Sequence, residues 1–301
     1  MKLHASIGAI AIALAACSQE PAPPAASIAD QSAAVAPGQT SRERLAAVLE
    51  AQPEKERARY PYRHPQETLE FFGIEPGMTV VDTYPGEVWY TGILLDYLGA
   101  EGKVIGADFA PDMWARFGRF APDPKEKETW VQDFIAKTEA RRDAGDAAVG
   151  AIQYGAVPDE LAGTVDVVLA IRVLHQFMRL EADGGYLTQA LADMNKLLKP
   201  GGIVGVVQHR APEDSSDAWA TGEAGYVKQS AVIAAFEQAG FELVDSSELN
   251  ANPNDRPTEQ DIVWRLPPSL ATSREDPALR AQMEAIGESD RMTLKFRKPA
   301  A

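Results

Sequence analysis

Two acids and two histidines stand where the chain would leave a sheet. Asp82 closes the run Met78-Thr79-Val80-Val81-Asp82, and Asp108 follows the run Lys103 to Ala107. His175 comes after Val165 to Ile171, and His209-Arg210 after Ile203 to Gln208. In a doubly wound sheet, ligands bind beyond the carboxyl ends of the strands. All five residues therefore belong to one rim. Asp108 follows Gly86 by 22 residues, a position at which an acid accepts hydrogen bonds from ribose hydroxyls. It marks an adenosyl ligand without choosing one; its ordinary role would be to cap the helix opening at Pro111. Asp82 either orients the turn Asp82-Thr83-Tyr84-Pro85-Gly86-Glu87 around a ligand or only caps it. His175 and His209 have the side chain best suited to take a proton near neutral pH, so either is a candidate general base. Arg210 can hold a carboxylate through a bidentate pair. In their ordinary roles, His175 caps a strand and Arg210 pairs with one of many acids. Trp89 and Tyr90 line the pocket or belong to the core. Glu288 and Asp290 reach the site from the C-terminal segment or form a solvated loop.

The elements that must carry these residues alternate. Thr40-Ser41-Arg42-Glu43 has the form of a capping box opening a short helix. Pro65 starts a helix that Gly73 stops. Strands are predicted over 78–82, 103–107, 148–154, 165–171, 203–208 and 241–248. Helices are predicted over 88–98, 124–144, 185–198 and 230–239. Strands apolar throughout and separated by helices indicate a parallel sheet covered on both faces. The segment 252–288 is polar and contains prolines. Arg291 to Arg297 alternates like a last, partly exposed strand.

Composition narrows the chemistry. The chain has 301 residues, 45% apolar and 24% charged, with a formal net charge of −15. That is enough apolar content for a sizeable core. An acidic chain without a basic block is a poor binder of phosphate backbones, so no nucleic-acid partner is expected. One cysteine and four histidines argue against a metal centre. No Gly-x-Ser-x-Gly elbow, His-Glu-x-x-His or Gly-x-x-x-x-Gly-Lys loop is present, which sets hydrolase and kinase chemistry aside.

The start of the chain has the form of an address. Lys2 precedes an uncharged apolar run from Ala5 to Ala16, too short to span a bilayer as a mature helix and shaped like a secretory h-region. It ends in Leu14-Ala15-Ala16-Cys17, which resembles the lipobox of bacterial lipoproteins, where the cysteine is lipidated. The alternative is an ordinary signal peptide cleaved nearby. Residues 18–39, rich in Ala, Pro and Ser, have the composition of a flexible tether. The expected organisation is a signal peptide over 1–16 and a lipidated Cys17 with tether over 17–39. N-terminal helices over 40–72 and an α/β domain over 73–301 follow. The expected location is the periplasmic side of a membrane, held by the lipid on Cys17.

A strand ending in an acid, a turn, a helix and a second strand ending in Asp resembles the class I S-adenosylmethionine-dependent methyltransferases. Leu198-Lys199-Pro200-Gly201-Gly202 resembles a frequent turn of that superfamily. More narrowly, the chain is similar to a group of exported bacterial predicted methyltransferases. Arg63-His64-Pro65, Phe71-Phe72-Gly73, Trp89-Tyr90-Thr91, His209-Arg210-Ala211, Asn250-Ala251-Asn252-Pro253 and Gly287-Glu288-Ser289-Asp290-Arg291 carry that likeness. The resemblance implies a doubly wound, mostly parallel α/β sheet with an antiparallel last strand at 292–296. It implies S-adenosylmethionine as cofactor, held by Asp82, Gly86, Glu87 and Asp108. It implies methyl transfer to a small-molecule acceptor, with His175 or His209 taking the proton. The first turn departs from the pattern. Gly86 is its one glycine, while Glu87 and Val88 stand where the narrower group has glycines and would crowd the ligand. A carboxylate at Glu87 would repel the cofactor's carboxylate or pair with its amino group. An exported body would also find little of a cofactor made in the cytoplasm. The other reading is therefore a non-catalytic or repurposed ligand-binding lipoprotein that keeps the fold.

Overall fold

Short β-branched runs form the centre of the molecule. In the computed structural model, which describes residues 38–300, five of them lie parallel. They are β1 (Thr79–Thr83), β2 (Lys103–Asp108), β3 (Ala148–Gln153), β4 (Val165–Ile171) and β5 (Leu198–Ala211). A two-residue β6 (Val227–Lys228) pairs with the end of β5. β7 (Glu242–Ser247) forms one edge, and β8 (Arg291–Arg297) runs antiparallel between β5 and β7. The order is β3-β2-β1-β4-β5-β8-β7. This is the doubly wound, mostly parallel α/β sheet of the methyltransferase type, with its last strand inserted antiparallel. The chain reverses its direction of travel between β1 and β4, so the ligand crevice belongs at their carboxyl ends. Cys17 and the tether up to residue 37 lie outside the described residues. Among the described residues, no helix is long and apolar enough to cross a membrane.

Neighbouring residues of each strand face opposite sides of the sheet. Val80, Val104 and Val167 join one apolar cluster, while Val81, Ile105 and Val168 join the other. The first is covered by Leu45, Leu49, Leu69 and Phe72 of the N-terminal helices and by Ile93 and Leu94. The second is covered by Phe177, Leu191, Met194 and Phe236. The N-terminal helices are thus part of the same core as the sheet. The first of them, Ser41–Ala51, opens on the expected capping box: Glu43 N donates to Thr40 Oγ1 at 3.3 Å, and Thr40 N donates to Glu43 Oε2 at 2.9 Å.

Two elements differ from the sequence expectation. The helix expected over 124–144 is broken into Pro124–Glu128 and Trp130–Glu139. Gln153 Nε2 donates to the carbonyl of Lys127 at 2.9 Å, taking an acceptor that an unbroken helix would use. β5 outruns its predicted 203–208 at both ends. At its start it absorbs the Pro-Gly-Gly turn, where the pairing with β4 shifts register. At its end the antiparallel ladder with β8 carries it on to place His209 opposite Arg291.

Gly205 of β5 lets the sheet accept Phe72. A Cβ there would lie 2.6 Å from the Phe72 ring, and Phe72 is fully buried. Gly205→Ala is therefore expected to destabilise the protein by about 1–3 kcal/mol through overpacking. Urea unfolding of the full-length protein measures this as a lower midpoint with unchanged slope; an unchanged midpoint refutes the close packing.

Candidate functional site

β1 delivers Asp82 to the rim but turns its side chain inward. The carboxylate accepts a hydrogen bond from Thr91 Oγ1 at 2.7 Å, tying the turn to the following helix. Burial pushes its pKa up to about 6 against the pull of Thr91. Beyond it the backbone enters the left-handed region at alternate residues: Tyr84 (φ 53°), Gly86 (φ 54°) and Val88 (φ 61°). Gly86 takes this conformation freely, whereas each of the other two bears about 1–2 kcal/mol of strain. Crowding was expected from Glu87 and Val88. Val88 is instead buried, and Glu87 is exposed at the cavity rim. Tyr84, 42% exposed, stacks on Phe109 with ring centres 4.8 Å apart and lies next to Trp114.

Asp108, at the end of β2, is buried. Its Oδ2 accepts hydrogen bonds from Trp114 Nε1 at 3.1 Å and Lys127 Nζ at 2.9 Å. The Lys127 ammonium also sits 3.8 Å from the Trp114 ring centre. Burial raises the Asp108 pKa and Lys127 partly restores it. Asp108 Oδ1 is buried without a partner. One oxygen of Asp108 is thus engaged by Trp114 and Lys127, while Tyr84 remains 42% exposed over Phe109.

The open space lies beside the Tyr84–Phe109 stack. A cavity of about 560 Å³ sits at the carboxyl ends of β1, β4 and β5. It brings together Gly86, Glu87, His175 and His209, and leaves out Asp82, Asp108 and Arg210. The two imidazoles face each other with ring centres 5.6 Å apart. His175 does not cap a strand; it lies in the first turn of the helix Leu174–Arg179. Its Nε2 is 2.8 Å from Gln176 Nε2 and its Nδ1 is 3.4 Å from the Gln208 amide. His209 Nδ1 meets Ser289 Oγ at 2.6 Å. Burial lowers the His175 pKa to about 4, with Arg179 and Arg172 adding to the effect and Gln208 opposing it. Burial, His175 and three arginines hold His209 well below its ordinary value. Both rings are neutral at pH 7. This corrects the expectation of a base with an ordinary histidine pKa.

Arg210 takes the second of its two readings and pairs with acids instead of holding a ligand. Its five donors reach Asp290, Glu248 and Gln229 at 2.7–3.3 Å. No donor remains to hold an acceptor. The cations that do face the cavity are Lys55, Arg59, Arg63 and Arg172, none of which the sequence reading selected. Arg172 directly follows β4, so the rule that found His175 would also have found it. Arg63 lay within a stretch noted for its resemblance, without a role attached; Glu288 lines the cavity, as one of its two readings had it.

No family model and no curated protein matches the chain. Among solved structures, it is similar to an S-adenosylmethionine-dependent methyltransferase from Aquifex aeolicus. The identity is 14% and the TM-score 0.48, over 84% of this chain and 98% of that one. It is also similar to the cyclase SpnF, with 18% identity and TM-score 0.48 over 80% and 81%. A geranyl diphosphate methyltransferase in complex with S-adenosylmethionine is a third, with 14% identity and TM-score 0.45 over 87% and 92%. The assignment of fold class rests on the strand order itself.

The neutral histidines make stability depend on pH. Unfolded, His175 titrates near 6.5; folded, near 4. Between these values the unfolded chain binds the proton and the folded one does not, so stability falls as the pH drops through that window. Asp82 and Asp96, both pushed up to about 6 by burial, act with the opposite sign across the lower part of it. Comparison with His175→Gln isolates the histidine. From pH 7 to pH 5 the wild type should lose about 2 kcal/mol more than the variant. Denaturant titrations at the two pH values test this, and parallel losses would show that His175 is charged in the folded state.

Proposed function

We propose that this chain is a ligand-binding protein that keeps a methyltransferase sheet and takes a small molecule at the ends of β1, β4 and β5 without S-adenosylmethionine. The observation that carries this reading is Asp108, whose Oδ2 is engaged by Trp114 and Lys127 beside the Tyr84–Phe109 stack. An adenosyl group would have to displace the chain's own aromatic side chains. Burial lowers the proton affinity of both histidines, which makes them weak bases and suits hydrogen bonding to a ligand better than proton removal from an acceptor. Export through the Leu14-Ala15-Ala16-Cys17 segment and anchoring by a lipid on Cys17 are part of the same reading, since the cofactor is made in the cytoplasm.

Methyl transfer from S-adenosylmethionine to a small acceptor is the second reading. The unpartnered Oδ1 of Asp108 favours it, because a ribose hydroxyl would satisfy that atom. Calorimetric titration of the full-length protein with S-adenosylmethionine separates the two. The first reading expects no binding by wild type or Asp108→Ala. The second expects binding that Asp108→Ala weakens by about 10- to 150-fold, or 1.5–3 kcal/mol. Tyr84→Gly removes the stacked ring and relieves the left-handed strain. On the first reading this variant gains affinity for S-adenosylmethionine by about tenfold or more.

The anchor is tested separately. Cys17→Ser should move the protein from the membrane fraction to the soluble fraction and abolish metabolic lipid labelling. A wild-type protein that is already soluble and unlabelled rejects the lipid.

A further inference from the structure

The cavity has an imbalance of charge that its own side chains do not resolve. Four cations, Lys55, Arg59, Arg63 and Arg172, face three carboxylates, Glu56, Glu87 and Glu288. The surplus stands out in a chain of net charge −15. Glu288 is already shared: it accepts from Arg63 Nε at 3.2 Å and from Arg291 Nη1 at 3.0 Å. Arg172 is left over. Its Nε is buried without a partner, and among the described residues its guanidinium has no ion pair. Arg63, 4% exposed, likewise has an Nη2 that is buried without a partner. Buried donors of this kind cost free energy until something accepts from them. Burial first, then repulsion by Arg172, lowers Arg63 to about 10; burial, opposed by Glu288 and aided by Arg291, holds Arg172 below its ordinary value. The remaining wall is flat and apolar: Trp89, Trp264, Pro267 and Pro268.

We propose that the cavity binds a small organic monoanion, a carboxylate whose head lies between Arg172 and Arg63 and whose flat apolar body lies against Trp89 and Trp264. A negative charge offsets the excess of cations, one in the lining and a second in Arg291, which shares Glu288. A planar carboxylate matches a guanidinium in a bidentate pair. A volume of about 560 Å³ falls within the ordinary range of small-molecule sites. Ser289 Oγ and the neutral imidazoles of His175 and His209 add hydrogen-bonding groups beside the head. This proposal names the ligand class for the site described above and rests on that reading.

The test is calorimetry on the full-length protein, with tryptophan fluorescence as a second readout because Trp264 lines the cavity. The probes are benzoate, phenylacetate and 3-phenylpropionate, with phenylacetamide as the uncharged control and phenyl phosphate as the dianion. At least one carboxylate should bind saturably, about tenfold or more tighter than phenylacetamide, and phenyl phosphate should bind no tighter than the carboxylates. Arg172→Gln should weaken the carboxylate by about tenfold or more, while Arg280→Gln, in an exposed helical pair with Glu284, should not. The probe series on wild type stands even if Arg172→Gln fails to fold. Binding by none of the carboxylates, equal binding of phenylacetamide, or a clear preference for phenyl phosphate overturns the proposal. Those results leave a non-adenosyl ligand of another class standing. Asp108-dependent binding of S-adenosylmethionine, by contrast, defeats the parent reading whatever the carboxylates do.

Discussion

Glu288 is a buried carboxylate held by two guanidiniums from opposite ends of the chain. Arg63 comes from the N-terminal helices, and Arg291 begins β8. Removing one partner of such a group leaves an uncompensated buried charge, so the three side chains must be placed together or not at all. The consequence is positional. With Glu288 fixed, Ser289 meets His209, and Asp290 meets Arg210 at the end of β5. Asn252 donates to the Glu288 carbonyl, which ties down the preceding segment. One wall of the cavity is thereby set by a single ion cluster. The leftover charge of that cluster, Arg172, faces the space that remains.

The same cluster explains why a polar, proline-containing segment folds back over the sheet. Residues 252–288 were read as polar and proline-containing, and buried polar contacts hold them beside the buried Val263, Leu266 and Leu270. Asp255 accepts from Tyr226 Oη, Arg265 Nη2 and the backbone N–H of Asp290. Asn250 Nδ2 donates to Thr68 Oγ1 and Thr293 Oγ1, joining an N-terminal helix to β8. Contacts of this kind need particular partners rather than a hydrophobic period, so no pattern along the sequence announces them.

That difference marks what was legible. β1, β2 and β4 were readable because each is a short apolar run ended by a residue that leaves the sheet, and parallel burial requires such runs. Arg291 to Arg297 was read as a strand from its alternation and as antiparallel from the resemblance; its expected partial exposure did not hold, since β8 lies between β5 and β7 and is buried along most of its length. The rim was readable for the same reason: a residue that follows a strand must lie at its carboxyl end. What each rim residue does was not. Asp108 was read as free to meet a ribose because Trp114 and Lys127, six and nineteen residues onward, carry no sign in the sequence that they turn back to it. Arg210 was read either as holding a ligand or as pairing with an acid, and which acids it takes was settled only by β7 and β8, which bring Glu248 and Asp290 to it. The histidines kept the proton affinity of an exposed side chain until burial and neighbouring arginines were known.

Backbone strain supports the same place independently of the charges. Five non-glycine residues among those described have positive φ: His64, Tyr84, Val88, Arg172 and Leu270. Tyr84 and Arg172 line the cavity, and the other three are each next in sequence to a lining residue, Arg63, Glu87 or Ser269. A left-handed residue costs on the order of 1–3 kcal/mol and persists only where its surroundings hold it. A chain selected for stability alone would carry glycine at such points, as it does at Gly73 and Gly86, where φ is 76° and 54°. At Tyr84 and Arg172 it carries instead a ring stacked on Phe109 and a cation, both in the lining of the cavity. On the proposed reading, the ligand site lies on the β4–β5 side of the switch point, where the cavity opens, rather than on the β1–β2 side.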